Sequence, residues 1–197
     1  MKKIAPLLGL SLLLMSLAFG QYTRQDVFVD DFSDNNSTNW STEDTYGQTD
    51  LYFSGGKYYF DHKRSRGSWS SHRNINLGQN DDFEIVAKIK KISGIQDNGF
   101  GLIWGRVDGD NQHMFEISPN GYYRIKTEEN NKYNKLTDWK LSSSIRQGNG
   151  QTNELKIKRI GGKVKYYVNG SFLVEHDFPS FFGSRFGFVI FQKQKIA

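Results

Sequence analysis

The chain has no cysteine among its 197 residues. That absence rules out disulfides, thiolate catalysis and an acylated lipoprotein N-terminus, so an exported form would hold together by packing alone. Phe 15, Tyr 10 and Trp 4 make such packing feasible. Other signatures are missing as well. No glycine-rich loop followed by a helix is present to cradle a phosphate, and Gly99-x-Gly101 lies inside a strand pattern. His62, His72, His113 and His176 are too far apart in sequence for the short ligand spacings of zinc sites. Lysine and arginine are scattered among acidic residues, which leaves no nucleic-acid footprint, and the densest basic run, His62-Lys63-Arg64-Ser65-Arg66, reads as a solvated loop.

The first twenty residues do carry a signal. Lys2 and Lys3 precede an apolar run from Ile4 to Leu17, and Ala18-Phe19-Gly20 places small residues at the cleavage positions before Gln21. The run is shorter than the ~20 residues of a spanning helix. It therefore reads as a secretory signal peptide over 1–20. A single mature domain over 21–197 is then secreted, periplasmic or at the cell surface, with no membrane contact after cleavage. The formal charge of +5 drops by the two lysines of the signal, to +3.

Beyond the signal, helical periodicity is absent. Period-two runs rich in Val, Ile, Tyr and Phe recur with glycine or asparagine punctuation, the pattern of an all-β sandwich or barrel. The spacing predicts about twelve strands, at 26–32, 50–53, 57–61, 68–75, 82–91, 99–106, 112–117, 121–127, 153–159, 163–168, 171–176 and 185–191, with loops at 33–49 and 128–152. In the cleanest of them Phe83, Ile85, Ala87 and Ile89 share one face and should point to the core. Ser54-Gly55-Gly56-Lys57, Ser118-Pro119-Asn120-Gly121, Gly161-Gly162 and Asn169-Gly170 read as hairpin turns.

Several of these segments occur in a familiar order. Asp31-Phe32-Ser33-Asp34-Asn35 with Trp40, Asp82-Phe83-Glu84-Ile85 and Asn98-Gly99-Phe100-Gly101-Leu102-Ile103-Trp104-Gly105 resemble bacterial concanavalin A-like lectin/glucanase domains of the laminarinase-like kind. Ile117-Ser118-Pro119-Asn120-Gly121-Tyr122-Tyr123, Thr152-Asn153-Glu154-Leu155-Lys156-Ile157, Tyr166-Tyr167-Val168-Asn169-Gly170 and Phe186-Gly187-Phe188 extend the likeness over nearly the whole mature chain. The resemblance implies an antiparallel jelly roll of two sheets, one concave, whose relatives bind glycans and in some branches hydrolyse them. It also implies a closing strand near the N-terminal one. The chain stops at Lys195-Ile196-Ala197, so either that strand is clipped or the sequence is a fragment of a longer protein, and the edge beside Val27–Phe32 is expected to be open.

For function, the resemblance leaves a lectin-like module, a glycosidase and a surface interaction module as rivals. A laminarinase-type enzyme needs a Glu-x-Asp-x-x-Glu run or its like, and none exists; Glu84, Glu116 and Glu154 sit singly on their strands. Two carboxylates from separate strands would be required. No cofactor is called for. Asp108-Gly109-Asp110-Asn111 offers oxygen ligands for calcium but serves equally as a plain turn. A carbohydrate or similar extracellular polymer is the expected partner, and the oligomeric state is open. Strand parity gathers Trp104, Arg106, Glu116, Tyr122 and Arg124 on one face, with Trp69 and Arg73 on another strand and Trp139 on a long loop closing the rim. Aromatic faces for sugar rings and charged partners for hydroxyls are what a glycan site needs. The alternative reading places Trp104 in the core and leaves the charges as a solvated face.

Overall fold

The computed structural model describes residues 25–33, 40–42 and 47–197, and the expected signal peptide and cleavage site lie outside the described residues. Thirteen strands run in the order β1 (Thr49–Phe53), β2 (Tyr58–His62), β3 (Ser68–Asn74), β4 (Phe83–Gly94), β5 (Phe100–Arg106), β6 (Gln112–Ile117) and β7 (Tyr122–Glu129). They continue with β8 (Lys132–Leu141), β9 (Thr152–Ile160), β10 (Lys163–Val168), β11 (Ser171–Asp177), β12 (Arg185–Phe191) and β13 (Gln194–Ile196). No helix occurs among the described residues. One sheet has seven strands in the order β1-β2-β13-β4-β9-β10-β11, the other six in the order β3-β12-β5-β6-β7-β8. Every pairing is antiparallel, which makes the domain a two-sheet sandwich of jelly-roll kind.

Alternation puts one side of each strand into the space between the sheets. From the seven-stranded sheet come Phe60, Ile89, Leu155, Ile157, Val164 and Tyr166, and from the other Phe100, Leu102, Phe115, Ile117, Ile125 and Ile190. Each such side chain contributes about 1.5–3 kcal/mol by leaving water. On β4 the inward set is the one alternation names, with Phe83 and Ile89 buried and Ile85 and Ala87 packed against the cluster. The turns follow their chemistry: Gly121 (φ 95°), Asn169 (φ 49°) and Gly170 (φ 81°) take the left-handed backbone that these hairpins require.

Two expectations need correction. Residues 26–32 form no strand. Phe28 and Phe32 do pack on the core while Val27 and Val29 face solvent, but Asp30 and Asp31 turn their carboxylates onto the backbone N–H groups of Phe32 and Ser33, and Phe32 has φ 58°. These local bonds bend the chain out of any ladder. Nor is 128–152 one loop, since it contains β8, an edge strand whose mostly exposed side chains show little alternation. A short strand not foreseen from alternation, β13, also forms near the C-terminal end of the chain. Three residues long, it lies between β2 and β4, and Ala197 exchanges backbone hydrogen bonds with Lys90. Buried Lys91 secures it by donating to Gln194 Oε1 at 2.5 Å and Ile95 O at 2.9 Å.

Candidate functional site

The side of the six-stranded sheet turned away from the core collects the unusual chemistry. Its residues follow from register. Gly101 on β5 stands opposite Glu116 on β6, which stands opposite Arg124 on β7; Ile103, Met114 and Lys126 form the next row. Ile103, Met114 and Val189 make a small buried apolar cluster with Phe191 packed against it. Glu116 is 0% exposed, an extreme position for a carboxylate. Its Oε2 accepts a hydrogen bond from Arg124 Nη2 at 2.6 Å. Lys126 Nζ lies 3.0 Å from Oε1 as a charge contact without hydrogen-bond alignment. Burial pulls the Lys126 ammonium down, and the neighbouring Glu116 works against that pull.

Aromatic rings frame this triad. The Arg124 guanidinium lies over the Trp139 ring at 4.4 Å, and Lys126 Nζ lies 4.5 Å from the ring centres of both Tyr133 and Phe191. Gly99 makes room for Glu116 and Trp139, since a Cβ there would come within 2.6 Å of Glu116 Oε2 and 3.2 Å of the indole. Tyr122, on the same side of β7, is 37% exposed and pairs with exposed Leu141. Further along the face a polar chain runs from Arg106 Nη1 to Gln112 Oε1 (2.7 Å), and from Gln112 Nε2 to Glu128 Oε2 (2.9 Å). Burial first, then the Glu128 carboxylate, pushes the Tyr133 phenol up to about 12.

Of the eight residues that parity assembled, Glu116, Tyr122, Arg124 and Trp139 come together, Trp139 from β8 rather than from a loop. Arg106 joins the face at its far end. Three do not belong. Trp104 is 1% exposed and lies in the core against His113 (4.4 Å between ring centres), Phe83 and Phe181. Trp69 packs on the core, and Arg73 lies 3.8 Å over Phe28. Alternation with Phe100 and Leu102 puts Trp104 in the core, and a bulge then parts Arg106 from it. Arg185 and Gly187 pair with Arg106 and Ile103, so one extra residue sits in β5, and Gly105 (φ 60°) absorbs it. Period two would have put Trp104 and Arg106 on one side; the bulge puts them on opposite sides.

Lys126, Tyr133, Gln112 and Glu128 were missed by the sequence reading. Lys126 and Glu128 continue the parity of Arg124 along β7, a signal open to extension; Tyr133 stands on β8, whose exposed residues show little alternation. The Asp108 turn is closed internally, its Oδ1 accepting from the Asp110 backbone and from Asn111 Nδ2, and no metal-binding cluster of three acidic or histidine ligands occurs among the described residues.

No family model matches the chain, and no curated protein matches it in sequence. Solved structures do match. The chain is similar to a carbohydrate binding module, CBM66, from Bacillus subtilis, at 14% identity and TM-score 0.60, over 80% of this chain and 91% of that one. It is similar to the GH43 BlXynB protein from Bacillus licheniformis (11% identity, TM-score 0.60, 85% of this chain) and to a xylan beta-1,4-xylosidase from Bacillus halodurans C-125 (13%, 0.60, 89%). The match spans only 37% and 38% of the latter two chains. What the three share with this protein is the β-sandwich fold.

Proposed function

We propose that this protein is an exported, non-catalytic carbohydrate-binding module of the concanavalin A-like lectin/glucanase class, and that it takes its glycan on the outer face of the six-stranded sheet. The observation that carries the reading is the Trp139–Arg124–Glu116 arrangement: an indole and a guanidinium stacked at 4.4 Å, with the guanidinium anchored by a buried carboxylate. An anchored arginine keeps its remaining N–H groups aimed at a fixed place, where sugar hydroxyls accept, while Trp139 and half-exposed Tyr122 offer flat apolar surface to a sugar ring. Both oxygens of Glu116 are engaged by cations, which suits a structural anion better than a glycosidase acid or nucleophile. The fold shared with a carbohydrate binding module supports the same reading.

The test is affinity electrophoresis of the protein through gels containing neutral polysaccharides such as xylan, β-glucan and fructan, with reducing ends assayed in parallel. Retardation by at least one polymer without release of reducing ends is expected. Trp139→Ala should weaken that retardation about tenfold, which is about 1.4 kcal/mol and of the size of one stacking contact, with little change in melting temperature. Sugar release that survives purification would overturn the non-catalytic reading; unaltered binding by Trp139→Ala would move the site elsewhere.

A further inference from the structure

At the far end of the same face two arginines stand directly opposite one another, Arg106 on β5 and Arg185 on β12. Like charges at directly opposed positions of an antiparallel pair destabilise a sheet. Here no carboxylate of the described residues forms an ion pair with either guanidinium. Arg106 spends one N–H on Gln112 Oε1 and Arg185 one on Val107 O, at 2.7 and 2.8 Å, while Arg106 Nε is buried without a partner. His72 on β3 stands opposite Gly187, two residues along β12 from Arg185 on the same side. Burial and then the two arginines hold its imidazole below the usual histidine range, so the ring is a neutral hydrogen-bonding group beside two cations. Burial and then Arg185 pull the Arg106 guanidinium down too; Asp108, Glu128 and Asp110 act on it the other way from beyond ion-pair distance. All three side chains are only partly buried and lie within reach of solvent.

Two forked donors and a neutral imidazole, gathered from three adjacent strands against their mutual repulsion, make a receptor for an oxyanion. Resting on the glycan-binding reading above, we infer that the Arg106–Arg185–His72 end of the face docks the acidic group of an anionic polysaccharide, a uronate carboxylate or a sulfate ester. Gln112 and Glu116, which mark the two ends on β6, are four residues apart, or about 13 Å along the strand. An extended glycan chain can therefore stack on Trp139 and present its anionic group to the arginines.

The experiment is isothermal titration of the full chain with polygalacturonate, dextran sulfate and neutral dextran and xylan, at low and at near-physiological salt. Binding to at least one acidic polymer should be about tenfold or more tighter than to the neutral ones and should weaken with salt. Preference for polygalacturonate alone, for dextran sulfate alone or for both supports the inference and identifies the anion. Arg106→Gln and Arg185→Gln should each collapse the acidic-over-neutral ratio toward one, and Arg185→Lys should retain part of it. Should Arg106→Gln fail to fold, Arg185→Gln at the first residue of β12 decides. Neutral and acidic polymers bound equally by the wild type would overturn this inference and leave the glycan reading standing. An acidic preference that survives both glutamine variants would also overturn it, and a protein that binds no polysaccharide would overturn both.

Discussion

Replacing Glu116 with glutamine removes the negative charge clamped between Arg124 and Lys126 while keeping shape and volume. The consequences follow from burial. The Glu116 side chain is 0% exposed and that of Lys126 5%, whereas Arg124 retains 17%. After the substitution Lys126 is a buried ammonium with no carboxylate at contact distance, and removing one partner of a buried pair costs about 3–5 kcal/mol. We expect the lower end, about 3 kcal/mol, because Arg124 can still stack on Trp139 and reach water. In a domain of this size that lowers the melting temperature by about 6–12 °C. Lys126→Met alone should cost much less, since Glu116 keeps its bond to Arg124, and adding it to Glu116→Gln should restore most of the loss. Urea unfolding of the wild type, both single variants and the double variant gives the coupling directly. If Glu116→Gln lies within about 0.5 kcal/mol of the wild type, or the double variant is simply additive, the face is wetter and looser than the geometry states, and the anchoring role given to Glu116 fails.

Three further outcomes are expected. His113, 1% exposed, places Nδ1 2.9 Å from the Thr127 hydroxyl and Nε2 2.8 Å from Ser180 O, a pattern that fits the neutral ring, and burial lowers its pKa from 6.5 to about 4. The unfolded chain therefore binds the extra proton between those values, so stability should fall as pH drops from 6.5 toward 4, by up to about 3 kcal/mol; urea midpoints across that range should decline less steeply in His113→Gln, and an unchanged slope would refute the assignment. Deleting Gln194–Ala197 removes β13 from between β2 and β4 and opens two strand edges inside one sheet, so size-exclusion chromatography should show aggregated or unfolded protein, and a stable monomer would mean that β13 contributes little. Exported protein should begin at Gln21 on N-terminal sequencing; a start at Met1 would show that residues 1–20 are not removed.

How much was legible in the sequence depended on whether a residue's fate is set by its near neighbours. Phe83, Ile85, Ala87 and Ile89 alternate without interruption, and Asn169-Gly170 can hardly be anything but a tight turn, so an all-β sandwich was readable from local chemistry alone; eleven of the thirteen strands lie where alternation placed them. β8 escaped because an edge strand with mostly exposed side chains has little apolar alternation to show, and β13 because three residues carry too little pattern. Residues 26–32 alternate as a strand does, yet Asp30 and Asp31 spend their carboxylates on the local backbone, and the segment joins no ladder among the described residues.

The candidate site divides in the same way. That Glu116, Tyr122 and Arg124 share a face follows from period two and a hairpin, both of which local sequence dictates. That Arg106 reaches the outer face instead of following Trp104 into the core was decided by one extra residue at Gly105, which only the pairing of β5 with β12 makes visible. Tertiary structure likewise brought Trp139 over Arg124, through a β7–β8 hairpin whose register shifts on either side of Ile125, and set Arg185 against Arg106, on strands separated by a long stretch of chain. The alignment of the two arginines depends on the register of the whole sheet rather than on any sequence neighbour.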